Sequence, residues 1–118
     1  MASPSPQSDR RRAERVPASF PVRFANDVAA DPAILRDISE IGLACAAPQE
    51  IPEMTLVALD FALPGATEIH HVKGAVVRCE PLDGADRGKY DLAVYFTEIT
   101  AVTRAALRNY VGKAHRSR

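Results

Sequence analysis

The sequence has few aromatic residues, only two cysteines, no net charge and no long apolar run. A formal net charge of zero argues against a bulk nucleic-acid binder, so any basic patch must be local. No apolar stretch approaches the roughly 20 residues that a membrane span needs. Cys45 and Cys79 lie far apart in apolar surroundings, which predicts two buried free thiols rather than a disulfide. A zinc site would need more ligands at closer spacing.

A chain of 118 residues, of which 47% are hydrophobic, is long enough for one domain with a single core. The first residues are rich in Pro and Ser and lack the apolar segment of a signal peptide, so the cytoplasm is the expected compartment. We expect a flexible tail over residues 1–9, one domain over residues 10–112, and a basic tail over residues 113–118.

Alternating apolar residues predict a mainly β fold. Phe20, Val22 and Phe24 share one face of a first strand, and residues 90–96 show the clearest alternation in the chain. A bend or bulge is expected near Gly74, inside a long strand. The six predicted strands are residues 19–25, 34–39, 42–47, 55–63, 68–79 and 90–96.

The last segment changes to helical spacing, with Thr100 as the expected N-cap and Gly112 as the expected stop. Six antiparallel strands joined by short turns would close into a small barrel, which removes exposed strand edges. The sequence therefore predicts a six-stranded antiparallel β-barrel with a C-terminal α-helix that covers an opening or a flank.

Residues 36–43 combine an acid, a hydroxyl and a glycine at close spacing. On a regular strand Asp37 and Ser39 would point to one face and Arg36 to the other, while Gly42 would let backbone approach a ligand. The same residue types also form turns. Taken alone, this stretch is more typical of a turn than of one half of a ligand site.

Arg10, Arg11, Arg12 and Arg15 make the densest positive cluster in the chain. A basic segment near a terminus is usually a solvated tail. This one runs directly into the first strand, so it is tethered to the folded body. Guanidinium groups bind phosphate bidentately and match the edge of guanine, and a carboxylate accepts from guanine N–H groups. The arginines with Asp37 and Ser39 therefore suit a ligand that has phosphates and a guanine.

Nothing in the sequence indicates an enzyme, because no nucleophile has a base signature beside it and no glycine-rich phosphate loop is present. His70 and His71 are adjacent on a strand and face opposite sides, so we expect ordinary surface and sheet residues rather than metal ligands. His115 lies in the basic tail. Tyr90 and Tyr95 are most simply sheet residues.

Two short motifs resemble those of PilZ domains. Residues 11–15, Arg-Arg-Ala-Glu-Arg, match the RxxxR motif, and residues 37–42, Asp-Ile-Ser-Glu-Ile-Gly, match the (D/N)xSxxG motif. Arg10 fits the double arginine that many members carry. Residues 90–96 look like the late strand of the family, although Ala93 stands where many members have glycine. Each motif alone is weak, but both in this order and at this spacing are specific.

The resemblance implies a bacterial receptor for cyclic di-GMP. It implies that Arg11 and Arg15 contact the phosphates and guanine, with Arg10 as an auxiliary. It also implies that Asp37 and Ser39 hydrogen-bond a guanine or its phosphate on the barrel surface beneath.

The same resemblance assigns close backbone approach to Gly42 and makes Arg78 a weaker candidate for the floor of the site, since an exposed strand cation explains Arg78 as well. The mobile arginine segment would become ordered on the dianionic nucleotide and so change the surface shown to an effector protein. That effector would belong to motility, polysaccharide or regulatory machinery.

Two other functions remain open. The first is a PilZ-type protein–protein interaction module that needs no ligand, although relatives that lose nucleotide binding generally lose these arginines. The second is a barrel that binds single-stranded nucleic acid, which the 6% aromatic content disfavours because such barrels need a stacking face. We expect no cofactor, no metal, no nucleic-acid partner and no membrane span.

Overall fold

Seven strands and one α-helix make up the computed structural model, which describes residues 14–25 and 31–116. Arg10 and Arg11 of the predicted site, and the predicted tail over residues 1–9, lie outside the described residues. A short 3₁₀ turn at Gly84–Asp86 joins the last two strands. In chain order the elements are β1 (Val16–Pro17), β2 (Pro21–Phe24), β3 (Ala33–Ile38), β4 (Gly42–Ala47), β5 (Leu56–Phe61), β6 (His70–Pro81), β7 (Tyr90–Glu98) and α1 (Ala101–Arg116).

The strands pair in the order β3, β2, β5, β6, β7 and β4, and β4 pairs again with β3, which closes the barrel. Every pairing is antiparallel. β1 and β2 lie along the same β3, against Ile38 and Asp37 and against Ile34 and Ala33 respectively. The predicted first strand is thus extended toward the N-terminus and interrupted before Pro21. The predicted six-stranded antiparallel barrel is confirmed, with β1 as an added piece of the first strand.

The core fills the barrel in the way that the alternation predicts. Val22, Phe24, Leu92 and Val94 are buried, as are the corresponding residues of β5. β6 has a register shift beside Gly74, so the predicted bulge is present, and a second shift lies further along the strand. Burial of these apolar side chains is the main favourable contribution to folding. The fully buried large side chains include Leu35, Ile38, Leu43, Ile51, Leu59, Leu92 and Leu107.

α1 starts where the sequence predicts and ends later. The backbone N–H of Thr103 donates to Thr100 Oγ1 at 3.1 Å, which is the predicted N-cap. The predicted stop at Gly112 is wrong, since the helix continues to Arg116. Glycine inside a helix costs about 1 kcal/mol. Burial of Val111 against the core, next to Gly112, offsets this cost and holds the last turns on the barrel.

His70 is buried rather than at the surface, and it joins the barrel to α1. Its Nδ1 lies 2.8 Å from Thr103 Oγ1, and its ring packs 5.9 Å from that of Phe61. His71 is exposed beside Asp60. These histidines are therefore sheet residues with structural partners. Within the described part of the chain, no group of three or more His, Cys, Asp or Glu side chains could hold a metal ion.

Both cysteines are free thiols. Burial, helped by the Asp91 carboxylate, raises the pKa of Cys45 to about 12, so this thiol is neutral at physiological pH and a poor nucleophile. Cys79 is half-buried rather than buried. Among the described residues, no helix is both long and apolar enough to cross a membrane.

Candidate functional site

A bulge in β3 decides which side chains reach the outer wall of the barrel. Leu35 pairs with Cys45, but Asp37 pairs with Ala44, so Arg36 is an extra residue in the strand. Arg36 is exposed and Asp37 is half-buried on the outside, while Ile38 returns to the core. The expectation that Arg36 faces away from Asp37 is therefore wrong, because a bulge places two successive residues opposite one partner.

Ser39 lies in the turn after β3 and is completely buried. Its Oγ accepts from the backbone N–H groups of Ile41 and Gly42, both at 3.2 Å, and donates to the Gly42 carbonyl oxygen at 3.3 Å. The Ser39 N–H also donates to that carbonyl at 2.9 Å. Asp37 and Ser39 thus do not share one face of a strand, since the Ser39 hydroxyl stabilises the turn backbone.

Replacing Ser39 with alanine should lower the free energy of unfolding by about 1–3 kcal/mol, because buried backbone donors of the turn lose their acceptor. Urea denaturation followed by circular dichroism measures this change. Ser19→Ala is the matched control, since Ser19 is exposed and should change stability by less than about 0.5 kcal/mol. Equal stability of the two variants would show that the Ser39 hydroxyl contributes nothing to the turn.

Gly42 allows β4 to approach β7 closely. A Cβ atom at Gly42 would lie 2.4 Å from the Val94 carbonyl oxygen, and a Cβ at Gly74 would lie 2.6 Å from the Tyr95 carbonyl oxygen. The two strands that flank β7 thus each have a glycine where they come close to the β7 backbone. The close approach that the sequence predicts for Gly42 is to the protein's own backbone.

The only motif arginine in the described part of the chain, Arg15, contacts the acid of the second motif. Its Nε donates to Asp37 Oδ1 at 2.6 Å. β1 positions this contact, because Val16 is completely buried and pairs with Ile38. The bond uses one of the five guanidinium N–H groups and one of the two carboxylate oxygens. The side chains remain 44% and 35% exposed, so both are open to a ligand.

Beside this pair the outer wall has a floor of small residues. Asp37, Ala44, Ala93 and Arg78 are successive cross-strand partners on β3, β4, β7 and β6. Ala44 and Ala93 lie outside the apolar core cluster, yet they expose only 4% and 8% of their surface. Their methyl groups are shorter than the surrounding side chains. This floor of small residues lies between Asp37 and Arg78.

The rim of this floor contains residues that sequence reasoning did not select. Asp91 Oδ2 accepts from Arg78 at 2.9 Å, and Asp91 Oδ1 lies 3.2 Å from Arg36 Nη1. Tyr95 is 52% exposed and is the cross-strand partner of Gly42. Sequence reasoning did not select Arg36, because regular alternation would place it on the face of β3 opposite to Asp37. The outward position of Tyr95 on its strand was the only available signal for that residue.

The wall is shallow, and the cavities are elsewhere. A cavity of about 640 Å³ lies at the end of the barrel where α1 begins and is lined by residues that include Asp60, His71, Lys73 and Arg104. None of the predicted site residues that the structure describes lines this cavity. A ligand on the outer wall would therefore need a second segment above it.

Comparisons with known proteins agree with this architecture. A family model described as PilZ domain matches residues 9–113. Among solved structures, the Bacillus subtilis inhibitor of motility MotI/DgrA is similar with a TM-score of 0.78 at 20% identity, over 92% of this chain and 53% of that chain. At this identity the likeness shows the fold alone, and this chain spans about half the length of that protein. No curated protein matches the sequence.

Proposed function

The chain belongs to the PilZ domain family, and from this premise we propose that it is a bacterial cyclic di-GMP receptor that signals through a protein partner. PilZ domains are receptor or adaptor modules that bind cyclic di-GMP and interact with effector proteins. The observation that carries the proposal is the exposed Arg15–Asp37 pair beside the floor of small residues. The cytoplasm remains a prediction for the compartment in which the protein acts.

The chemistry of the wall suits both parts of the ligand. Arg15 donates to Asp37 through Nε, and its terminal nitrogens can form a bidentate contact with a phosphate. The second oxygen of Asp37 can accept from a guanine N–H group. A guanine ring would lie over Ala93, with Tyr95 at the rim as a stacking surface. Arg36 and Arg78, which both contact Asp91, add positive charge for the second phosphate.

The arginine segment is proposed to cover the ligand from above. Arg15 is already held by β1 and Asp37 without ligand, so the proposed ordering concerns the residues that precede it, with Arg10 and Arg11 as phosphate or guanine contacts. Several arginines close together repel one another, and a dianionic nucleotide would neutralise them. The ordered segment would then alter the surface next to β1.

A specific observation keeps a second function open, namely an adaptor that needs no ligand. Ser39 and Gly42 are both explained by the fold, through the turn hydrogen bonds and the close approach to Val94. Their presence does not require a nucleotide. In either function the partner is proposed to belong to motility, polysaccharide or regulatory machinery. Motility is the first candidate, because the similar Bacillus subtilis protein is an inhibitor of motility.

Isothermal titration of the full chain with cyclic di-GMP tests the receptor. We expect a dissociation constant of about 1 µM or lower, which corresponds to roughly −8 kcal/mol. Saturating nucleotide should also raise the melting temperature, because it binds only the folded state. GTP is the control ligand and should give neither effect. Absence of both heat and thermal shift with cyclic di-GMP would overturn the receptor and leave the adaptor.

A further inference from the structure

Charge is strongly segregated along a chain whose net charge is zero. Residues 16–100 contain six lysines and arginines and thirteen acids, whereas residues 101–118 contain five lysines and arginines and no acid. The second range is α1 and the residues just after it. The barrel therefore carries net negative charge, and α1 is its cationic counterpart. Neither the nucleotide site nor the packing of the core uses this difference.

Arg104 and Arg108 lie at the exposed surface of α1. α1 buries Leu107 and Val111, so its opposite side faces outward. Arg104 is exposed and makes no ion pair with any described residue, and Arg108 keeps a side chain that is 67% exposed despite its contact with Glu40 at 3.2 Å. Arg104, which is unpaired among the described residues, and Arg108, which is compensated only by Glu40, leave a positive potential on this side of α1.

The shape of this face favours close contact. Ala101 and Ala105 line a shallow depression together with the two arginines, and a second depression continues past Ala105 to Gly112. A side chain or helix from another protein could reach the α1 backbone surface here. The face thus combines uncompensated positive charge with room for a partner.

We propose that the outer face of α1, defined by Ala101, Arg104, Ala105 and Arg108, docks an acidic segment of a partner protein. Carboxylates of that segment would pair with Arg104 and Arg108, while its backbone lies over the alanines. The argument is charge complementarity, since Arg104 has no ion pair with a described residue and Arg108 stays largely exposed beside Glu40. The docking surface does not depend on nucleotide binding, so the docking proposal and the receptor proposal can fail independently.

Other anionic occupants fit the same face less well. Extended polyanions such as DNA, or a membrane surface, would also meet the acidic barrel, whereas a short acidic segment can contact α1 without meeting it. A membrane surface would further require large apolar or aromatic side chains on the exposed face. Val102 is the one exposed large hydrophobic residue of α1 in the part of the chain described. A protein segment is therefore the favoured occupant.

Fluorescence anisotropy with a labelled glutamate-rich peptide tests the docking surface. The full chain should bind this peptide, and it should not bind the same peptide with every glutamate replaced by glutamine. Arg104→Glu should weaken binding about tenfold, because it reverses the charge at the unpaired arginine. Ala105→Glu is the second variant, and it should weaken binding because it places a carboxylate next to Arg108, which lies three residues later on the helix. Thermal melts verify that both variants are folded.

Arg87→Glu is the matched control, since Arg87 is an exposed arginine beside the 3₁₀ turn and outside α1. It should leave peptide affinity within about twofold. Equal losses in Arg104→Glu and Arg87→Glu would overturn the proposal, because attraction would then follow total charge. Tighter binding to double-stranded DNA or to phosphatidylglycerol vesicles than to the peptide would also overturn it.

Concentration-dependent dimerisation that Arg104→Glu abolishes would identify a second copy as the occupant instead. Cyclic di-GMP titrations of Arg104→Glu should match those of the unaltered protein.

Discussion

Arg15→Ala should reduce the affinity for cyclic di-GMP by roughly a hundredfold, or about 3 kcal/mol, which is the upper range for a lost hydrogen-bonded charge contact. The apo protein should melt within a few degrees of the unaltered protein. The reason is that the ion pair between Arg15 and Asp37 is open to solvent, since the two side chains are 44% and 35% exposed respectively. Such pairs contribute about 1 kcal/mol or less to stability. Titration calorimetry and thermal melts of the same samples measure the two effects.

Two further variants make this result interpretable. Arg15→Lys keeps the charge but lacks the planar fork of donors, so it should recover only part of the affinity. Arg23→Ala removes an exposed arginine from β2 and should leave binding unchanged. Unchanged affinity in Arg15→Ala would assign the Arg15–Asp37 pair to the barrel alone. Asp37→Ala should weaken binding as well, since it removes both the guanine acceptor and the partner that orients Arg15.

Gly42→Ala should destabilise the barrel by about 3 kcal/mol, the upper end of the usual cost of overpacking, because the clash is with backbone. The added Cβ would lie 2.4 Å from the Val94 carbonyl oxygen, and backbone on a central strand has little freedom to move. For a domain of this size, the melting temperature should fall on the order of 10 °C. Differential scanning calorimetry without ligand measures this shift.

The control for Gly42→Ala is Gly84→Ala. Gly84 has φ +68, and a Cβ added there would have no atom within 4 Å, so alanine meets only the backbone cost of about 1–2 kcal/mol. If Gly42→Ala melted no lower than Gly84→Ala, the approach of β4 to β7 would not need glycine. A Gly42→Ala protein with full stability but no nucleotide binding would instead assign the glycine to the ligand.

Local patterns predicted much of the architecture. Inward residues such as Phe24 and Leu92 follow from alternation, since a half-buried strand repeats every two residues. The helix start at Thr100 follows from the need for an acceptor beside the first backbone N–H groups. Both motifs were visible as residue types in order. In each case the cause lies within a few residues of its effect.

The end of α1 and the face of Arg36 could not be predicted in the same way. Gly112 stays helical because Val111 packs on a core built from distant strands. Arg36 reaches Asp91 because β3 bulges where it must pair with both β1 and β4. Closing a barrel imposes register on every strand at once, and no single strand encodes that constraint.

By itself, the sequence of this protein determined the fold class, the inward faces of its strands and the residue types of a candidate nucleotide site. Only the tertiary structure decided which of those residues are open to a ligand and which contact the protein itself. Arg15 and Asp37 meet on the open wall, whereas Ser39 and Gly42 turn to the protein's own backbone. The reason is that hydrogen bonds and close approaches across strands depend on three-dimensional register, which motif spacing does not contain.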